Sequence, residues 1–189
     1  MDTDEHLVQR TLEGDLGSFE ALVERHRDVV FRVAARIVGH HNADDVAQDS
    51  FLKAFHRLSR FRGEASFRTW LLTITHNTAL SALARPSAEP QADPTPDDET
   101  APSVQPDQRT PADRLEDSER RDRLTEKLRL LPPAHRAVLV LRDIEGLSYE
   151  EIAQVTESPV GSVKGRLFRA RGELVEILRS NTYDWQLPR

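Results

Sequence analysis

The chain has 189 residues, enough for one or two domains that each bury a core, with a formal net charge of −6 and no cysteine. Without thiols there are no disulfides, thiolate metal sites or cysteine nucleophiles. The N-terminal MDTDEHLVQR is acidic where a secretory signal is basic and then apolar, and no run approaches the roughly 18 apolar residues of a membrane span, so a cytoplasmic protein without membrane insertion is expected.

In chain order, helices are expected near residues 4–14, 17–38, 42–59 and 66–84. The second carries Phe19, Leu22, Val23, His26, Val29, Val30, Val33 and Ile37 at three-to-four spacing, one face of a 3.6-residue period. Asn42, with Asp44 and Asp45 in the first turn, marks the start of the third. Pro86 to Asp113 holds seven prolines, no glycine and no aromatic residue. Such a stretch cannot pack a core, and residues 86–112 are expected to form a disordered, acidic, Pro-rich linker. A charged helix is expected over 113–131, then one from Pro132-Pro133 to Asp143, stopped at Glu145-Gly146. Ser148 and Glu151 make a capping box for Tyr149–Val155, and Ser158-Pro159 is read as N-cap and first helical position of a last helix. No strand pattern competes. The fold class is all-α: two small helical domains, residues 1–85 and 113–180, joined by the linker and followed by a tail, 181–189, whose NTYDWQLPR carries no assignment.

Charge follows the same divisions. Residues 1–50 hold 5 Lys/Arg against 11 Asp/Glu, residues 51–85 hold 6 against 1, and residues 86–113 hold 1 against 7. An acidic half, a basic half and an acidic connector in that order suggest separate partners for separate faces.

The last helix is the most informative. PVGSVKGRLFRARGEL has four cations and no acid before Glu173. Val160, Val163, Leu167, Ala170 and Leu174 form a core stripe. Gly161, Gly165, Phe168 and Gly172 share the other face, flanked by Lys164, Arg169 and Arg171. Each glycine costs about 1 kcal/mol of helix propensity, so close approach of a partner to this face is the physical reading, with cations for phosphates or base edges and Phe168 for a thymine methyl. Two helices across a tight turn, the second basic outside, fit a helix-turn-helix with its recognition helix, although plain helical hairpins share the spacing.

LPPAHRAVLVLRDIEGLSYEEIAQV followed by SPVGSVKGRLFRARGEL resembles region 4 of the extracytoplasmic-function (group IV) sigma factors of bacterial RNA polymerase. ADDVAQDSFLKAFHRL resembles region 2.2, and FRGEASFRTWLLTITHNTALSALAR resembles regions 2.3 and 2.4. The resemblance covers roughly residues 7–85 and 112–178, in family order and spacing. It implies that Asp44, Asp45, Gln48, Asp49 and Phe51 dock on the clamp coiled coil of the polymerase largest subunit, with the flap as a further contact of the core enzyme. Lys53, Phe61, Arg62, Gly63, Ser66, Phe67, Trp70 and Asn77 would open the −10 element of promoter DNA and hold an extruded base. Lys164, Phe168 and Arg169, with Arg166 and Arg171 near phosphates, would read the −35 element. The linker would thread the polymerase channel, and an anti-sigma factor would clasp both domains. Catalytic residues, metal and cofactors are not implied. The chain departs from the family pattern at Glu157-Ser158, where Gly and an apolar residue are frequent, which leaves the turn's conformation open. It also departs at Gly165, where Ser is common, and at Ser81, which is given no DNA contact.

Other readings of the same residues have physical content. Trp70, Leu71 and Ile74 have core spacing, Asp44 and Asp45 suit a helix N-terminus by charge alone, and Phe61, between Arg60 and Arg62-Gly63, reads as a surface-loop aromatic. A free-standing helix-turn-helix regulator would share the second domain but gives no reason for FRGEASFRTWLLTITHN. A metallohydrolase built on His40, His41, Asp44, Asp45 and His76 lacks a two-ligand i, i+4 helix pattern.

Overall fold

The computed structural model describes residues 2–85 and 123–180. The linker, the beginning of the helix expected from 113 and the tail with Trp185 lie outside the described residues. Within them the elements are α1 (Asp4–Leu12), α2 (Leu16–Val38), α3 (Ala43–Arg57), α4 (Phe67–Ala84), α5 (123–129), α6 (Pro133–Leu139), α7 (Tyr149–Val155) and α8 (Val160–Ser180), with no strand among them.

The first domain is built around α2. Its apolar stripe buries Leu22, Val30, Val33, Ala34 and Ile37 completely, between Val46 and Ala54 of α3 and Leu71, Leu72 and Ala79 of α4. Polar residues inside this core are satisfied locally: Ser50 Oγ donates to the Val46 carbonyl at 2.6 Å and Thr75 Oγ1 to the Leu71 carbonyl at 3.0 Å. Two caps set helix starts. Thr3 Oγ1 accepts from His6 N at 3.3 Å to begin α1, and Ser66 Oγ accepts from Thr69 N at 3.1 Å to begin α4. α1 is pinned to α2 through Asp4, which meets His26 Nε2 at 2.8 Å and the Arg25 guanidinium.

The second domain packs α6, α7 and α8 around Val138, Leu141, Leu147, Ile152, Val163 and Leu167. The helix after Pro132-Pro133 is not uniformly α. After Leu139 it widens into a π turn, Val140–Ile144, in which Glu145 N donates to the Val140 carbonyl at 3.0 Å. The chain then stops at Gly146, whose φ is +72°. The capping box is complete: Ser148 Oγ accepts from Glu151 N at 3.1 Å, and Glu151 Oε2 accepts from Ser148 N at 2.8 Å.

Between α7 and α8 the chain makes a Schellman turn. Ser158 N reaches the Ala153 carbonyl at 3.0 Å and Glu157 N the Gln154 carbonyl at 3.2 Å. Glu157 occupies the left-handed position, φ +48°, where glycine is usual. The turn thus closes with a glutamate at the left-handed position. The expected cap of α8 is corrected: the Ser158 hydroxyl is drawn to the Thr156 carbonyl at 2.9 Å, and Pro159 precedes the helix, its carbonyl accepting from Val163 N at 3.1 Å.

The two domains touch along α2 and α4. Arg136, buried at the start of α6, donates to the Ile37 carbonyl of α2 and to the carbonyls of Arg129 and Leu131, at 2.7 and 3.0 Å for the last two. A cation thus meets the negative end of α2.

Candidate nucleic-acid interface

α4 and the loop before it carry three rings in mutual contact: Phe61, Phe67 and Trp70, with centroids 5.4–5.7 Å apart. Burial divides them. Phe67 is 1% exposed and lies in the core, where it supports the other two rather than facing a base. Phe61 and Trp70 are half-buried, so Phe61 packs against the core instead of standing out as a loop aromatic.

Trp70 is the shared wall of two adjoining clefts. One, of about 350 Å³, is lined by Lys53, Arg57, Arg60, Asn77 and Ser81 among others. The second, of about 240 Å³, is lined by Phe61, Arg62, Gly63 and Thr73. Of the expected −10 residues, Lys53, Trp70 and Asn77 therefore meet in the first, and Phe61, Arg62 and Gly63 in the second. Ser66 is spent on capping α4. Arg57, Arg60 and Thr73 carry no motif of their own; the basic count of residues 51–85 contains the arginines, but only the fold shows which cations converge.

Inside the first cleft Lys53 Nζ donates to Thr78 Oγ1 at 3.1 Å, with an Asp49 carboxylate oxygen at 3.9 Å. Asn77 is exposed. Its Oδ1 is 3.2 Å from His76 Nδ1 and its Nδ2 donates weakly to Glu157 Oε1 at 3.4 Å. Burial pushes the His76 pKa below its ordinary value; Asn77 opposes this by hydrogen bonding, the Arg166 charge adds to it, and Glu157 opposes it.

The outer face of α8 is open. Phe168 is 82% exposed, and Lys164 and Arg169 are exposed beside it. A Cβ added at Gly161 or Gly172 would meet nothing within 4 Å, so packing inside the described residues does not require these glycines. Lys164 Nζ lies 5.3 Å from the Tyr149 ring centre, with the Arg142 guanidinium 4.7 Å from the same centre. Arg171 is held in a two-point pair with Asp143, at 3.1 and 2.6 Å, and Arg166 is half-buried, so these two differ from the freely presented Arg169.

On α3, Asp44, Asp45, Gln48 and Asp49 are exposed, and Phe51 is half-buried against the core. The stripe continues into exposed apolar residues that sequence reading missed: Leu52 and Phe55, the latter edge-on to Phe19 at 4.9 Å. Among the described residues no group of three or more His, Asp or Glu is placed to hold a metal ion, and no helix is long and apolar enough to cross a membrane.

Comparison with known proteins follows the same division. Residues 22–88 match the family description Sigma-70 region 2, and residues 121–174 match Sigma-70, region 4. The ECF RNA polymerase sigma-E factor of Haemophilus influenzae is 38% identical over 178 residues, covering 92% of this chain and 94% of the relative. CnrH, solved in complex with the cytosolic domain of CnrY, superposes with a TM-score of 0.67 at 31% identity, covering 95% of this chain and 99% of that one. The Bartonella quintana sigma factor RpoE, solved with the anti-sigma factor NepR, shares the fold at 21% identity and a TM-score of 0.63, over 88% of this chain and 98% of that one.

Proposed function

The chain belongs to the extracytoplasmic-function branch of the sigma-70 family, factors that direct transcription by RNA polymerase, and on that premise we propose a division of labour among its faces. The clefts around Trp70 take the −10 element. Extruding a base from a duplex costs a few kcal/mol. Stacking on Trp70 or Phe61 offsets about 1–3 kcal/mol of that, and the Asn77 amide offers a donor and an acceptor to the base edge. Lys53, Arg57 and Arg60 hold the phosphates that flank it. Phe67 and Ser66 act from behind, one as the floor of the aromatic cluster and the other as the cap that fixes where α4 begins.

The −35 element meets Lys164, Phe168 and Arg169 across the open glycine face, with Arg166 and Arg171 as lesser contributors. Core polymerase meets Asp44, Asp45, Gln48 and Asp49, and the exposed Leu52 and Phe55 supply apolar area that an acidic stripe alone lacks. The chain supplies specificity to the polymerase rather than catalysis, and works in the cytoplasm, where polymerase and promoter are. The partner seen with CnrH supports a dedicated protein partner here too, an anti-sigma factor in this family.

The observation that carries this reading is the convergence of Trp70, Asn77, Lys53, Arg57 and Arg60 on one cleft. Run-off transcription tests it, with core polymerase plus this chain on a promoter library, repeated with Asn77→Ala and Phe61→Ala. Both variants should lose activity on duplex promoters. The Phe61 defect should shrink on a template with a pre-opened bubble, where unpairing no longer costs anything. Parental rates from both variants on duplex DNA would defeat the melting role.

A further inference from the structure

Arg171 shares the face of α8 assigned to the −35 element. With Lys164 and Phe168 it falls at positions i, i+4 and i+7 of one stripe, and at Gly172 beside it an added Cβ would meet nothing within 4 Å, so a partner can come close. Its guanidinium is nevertheless occupied. Nε donates to Asp143 Oδ2 at 3.1 Å and Nη2 to Asp143 Oδ1 at 2.6 Å. Two N–H donors on two acidic oxygens is the geometry by which an arginine takes a phosphate. Asp143 comes from the π turn, Val140–Ile144, and its hydrogen bonds are the largest cause that raises the Arg171 pKa above its ordinary value.

Packing does not require this pair. The side chains of Arg171 and Asp143 are 50% and 41% exposed, and an ion pair so open to water adds little stability. The second domain is closed without it, by Val138, Leu141, Leu167 and Ala170 in the core and by His135 Nδ1 meeting Glu173 Oε2 at 2.7 Å. Nor does the pair hold the domains together. Glu145, two residues on, pairs with Arg32 and Arg68 of the first domain, whereas Asp143 stays within its own. What the pair changes is the charge that α8 shows: Phe168 stands open, and the cation one turn further along the stripe already has its anion.

We propose that Asp143 stands in for a DNA phosphate on Arg171. A duplex that engages the −35 face must displace it, one anion for another, and gains less than an unoccupied arginine would give. Asp143 thereby sets the absolute strength of −35 binding, while Phe168 and its neighbours set the sequence, because phosphate contacts carry no base information. Affinity is held down for every duplex alike, so occupancy of a promoter depends on contacts made elsewhere as well. The inference rests on the assignment of α8 to the −35 element.

Asp143→Asn keeps the shape of the side chain and removes its charge. Fluorescence anisotropy of the full-length chain with two labelled duplexes reads the effect, one duplex carrying the −35 sequence selected from the promoter library and the other that sequence scrambled. Circular dichroism checks that each variant is folded. Asp143→Asn should tighten binding to both duplexes by roughly fivefold to tenfold at about 0.1 M salt, and should steepen the fall of log K with log salt by about 0.9, the amount for one further phosphate. In an Arg171→Ala background the same substitution should change binding by less than about twofold, since no guanidinium is left to release. Unchanged or weaker binding by Asp143→Asn overturns the proposal, and shows that the pair positions Arg171 for DNA rather than withholding it. Equal tightening with and without Arg171 overturns it too, leaving only the loss of a negative charge near DNA. If Phe168→Ala keeps the full preference for the selected duplex over the scrambled one, the −35 assignment of α8 fails, and the inference falls with it.

Discussion

Replacing Glu157 with glycine should stabilise the second domain, and the amount can be worked from the turn. Glu157 holds φ +48° because the Schellman bonds from Ser158 N and Glu157 N fix the chain there. A left-handed L-residue costs roughly 1–2 kcal/mol, which glycine avoids. Glycine's extra freedom in the unfolded chain returns about 0.5–1 kcal/mol of that. The 3.4 Å bond to Asn77 is long and exposed, and its loss costs about 0.5 kcal/mol, the low end for a hydrogen bond. The clean comparison is with Glu157→Ala, which loses the same carboxylate but keeps the strained Cβ. Glu157→Gly should exceed Glu157→Ala by about 0.5–1 kcal/mol, a rise of about 2–8 °C in the melting temperature of a domain this small. Thermal unfolding followed by circular dichroism reads the difference. If the alanine variant is as stable as the glycine variant, the backbone account of this turn is wrong.

Phe168→Ala should leave the melting temperature nearly unchanged, because the ring is 82% exposed, while weakening binding to the matched −35 sequence by about 1–3 kcal/mol in a gel-shift titration. Equal losses on unrelated DNA would count against base reading. Arg136→Ala strands the carbonyls of Ile37, Arg129 and Leu131, and should cost about 2–4 kcal/mol in urea denaturation; a loss below about 1 kcal/mol would show that water replaces the guanidinium. His76, buried beside Asn77, Arg166 and Glu157, has its folded pKa below its ordinary 6.5. The unfolded chain therefore binds the proton more readily. Stability is full above about 6.5 and is lost as pH falls from there toward the folded pKa. His76→Gln should flatten that part of a stability-against-pH curve, and an unchanged slope would locate the titration elsewhere.

Much of the helical plan can be read from local chemistry. The spacing of Leu22, Val30, Val33 and Ile37 predicts α2, and Ser148 with Glu151 predicts the start of α7, because each signal lies within a few residues of what it specifies. The assignment of Phe67 to DNA came from the family resemblance, and the structure buries the ring. Phe67, Leu71 and Ile74 follow helical core spacing, and burial of Phe67 could have been inferred from that alone, but the motif drew it toward DNA. The arginines of the cleft were visible only as charge, since convergence of Arg57 and Arg60 on Asn77 depends on the α3–α4 packing. The contacts of Glu145 left no sequence signal at all. Arg32 is 113 residues away and Arg68 is 77, and single pairs at such separations create no period and no cap.

Asp143 and Glu145 stand two residues apart on either side of the end of the π turn, and they hold opposite things. Asp143 grips Arg171 of the recognition helix, and Glu145 grips Arg32 and Arg68 of the other domain. Two peptide bonds therefore separate the carboxylate paired with α8 from the carboxylate paired with α2 and α4, at the point where the π turn of Val140–Ile144 ends. One short stretch of backbone thus joins the outer helix of the second domain to the first domain, and a substitution at Ile144 or Glu145 is felt at both contacts.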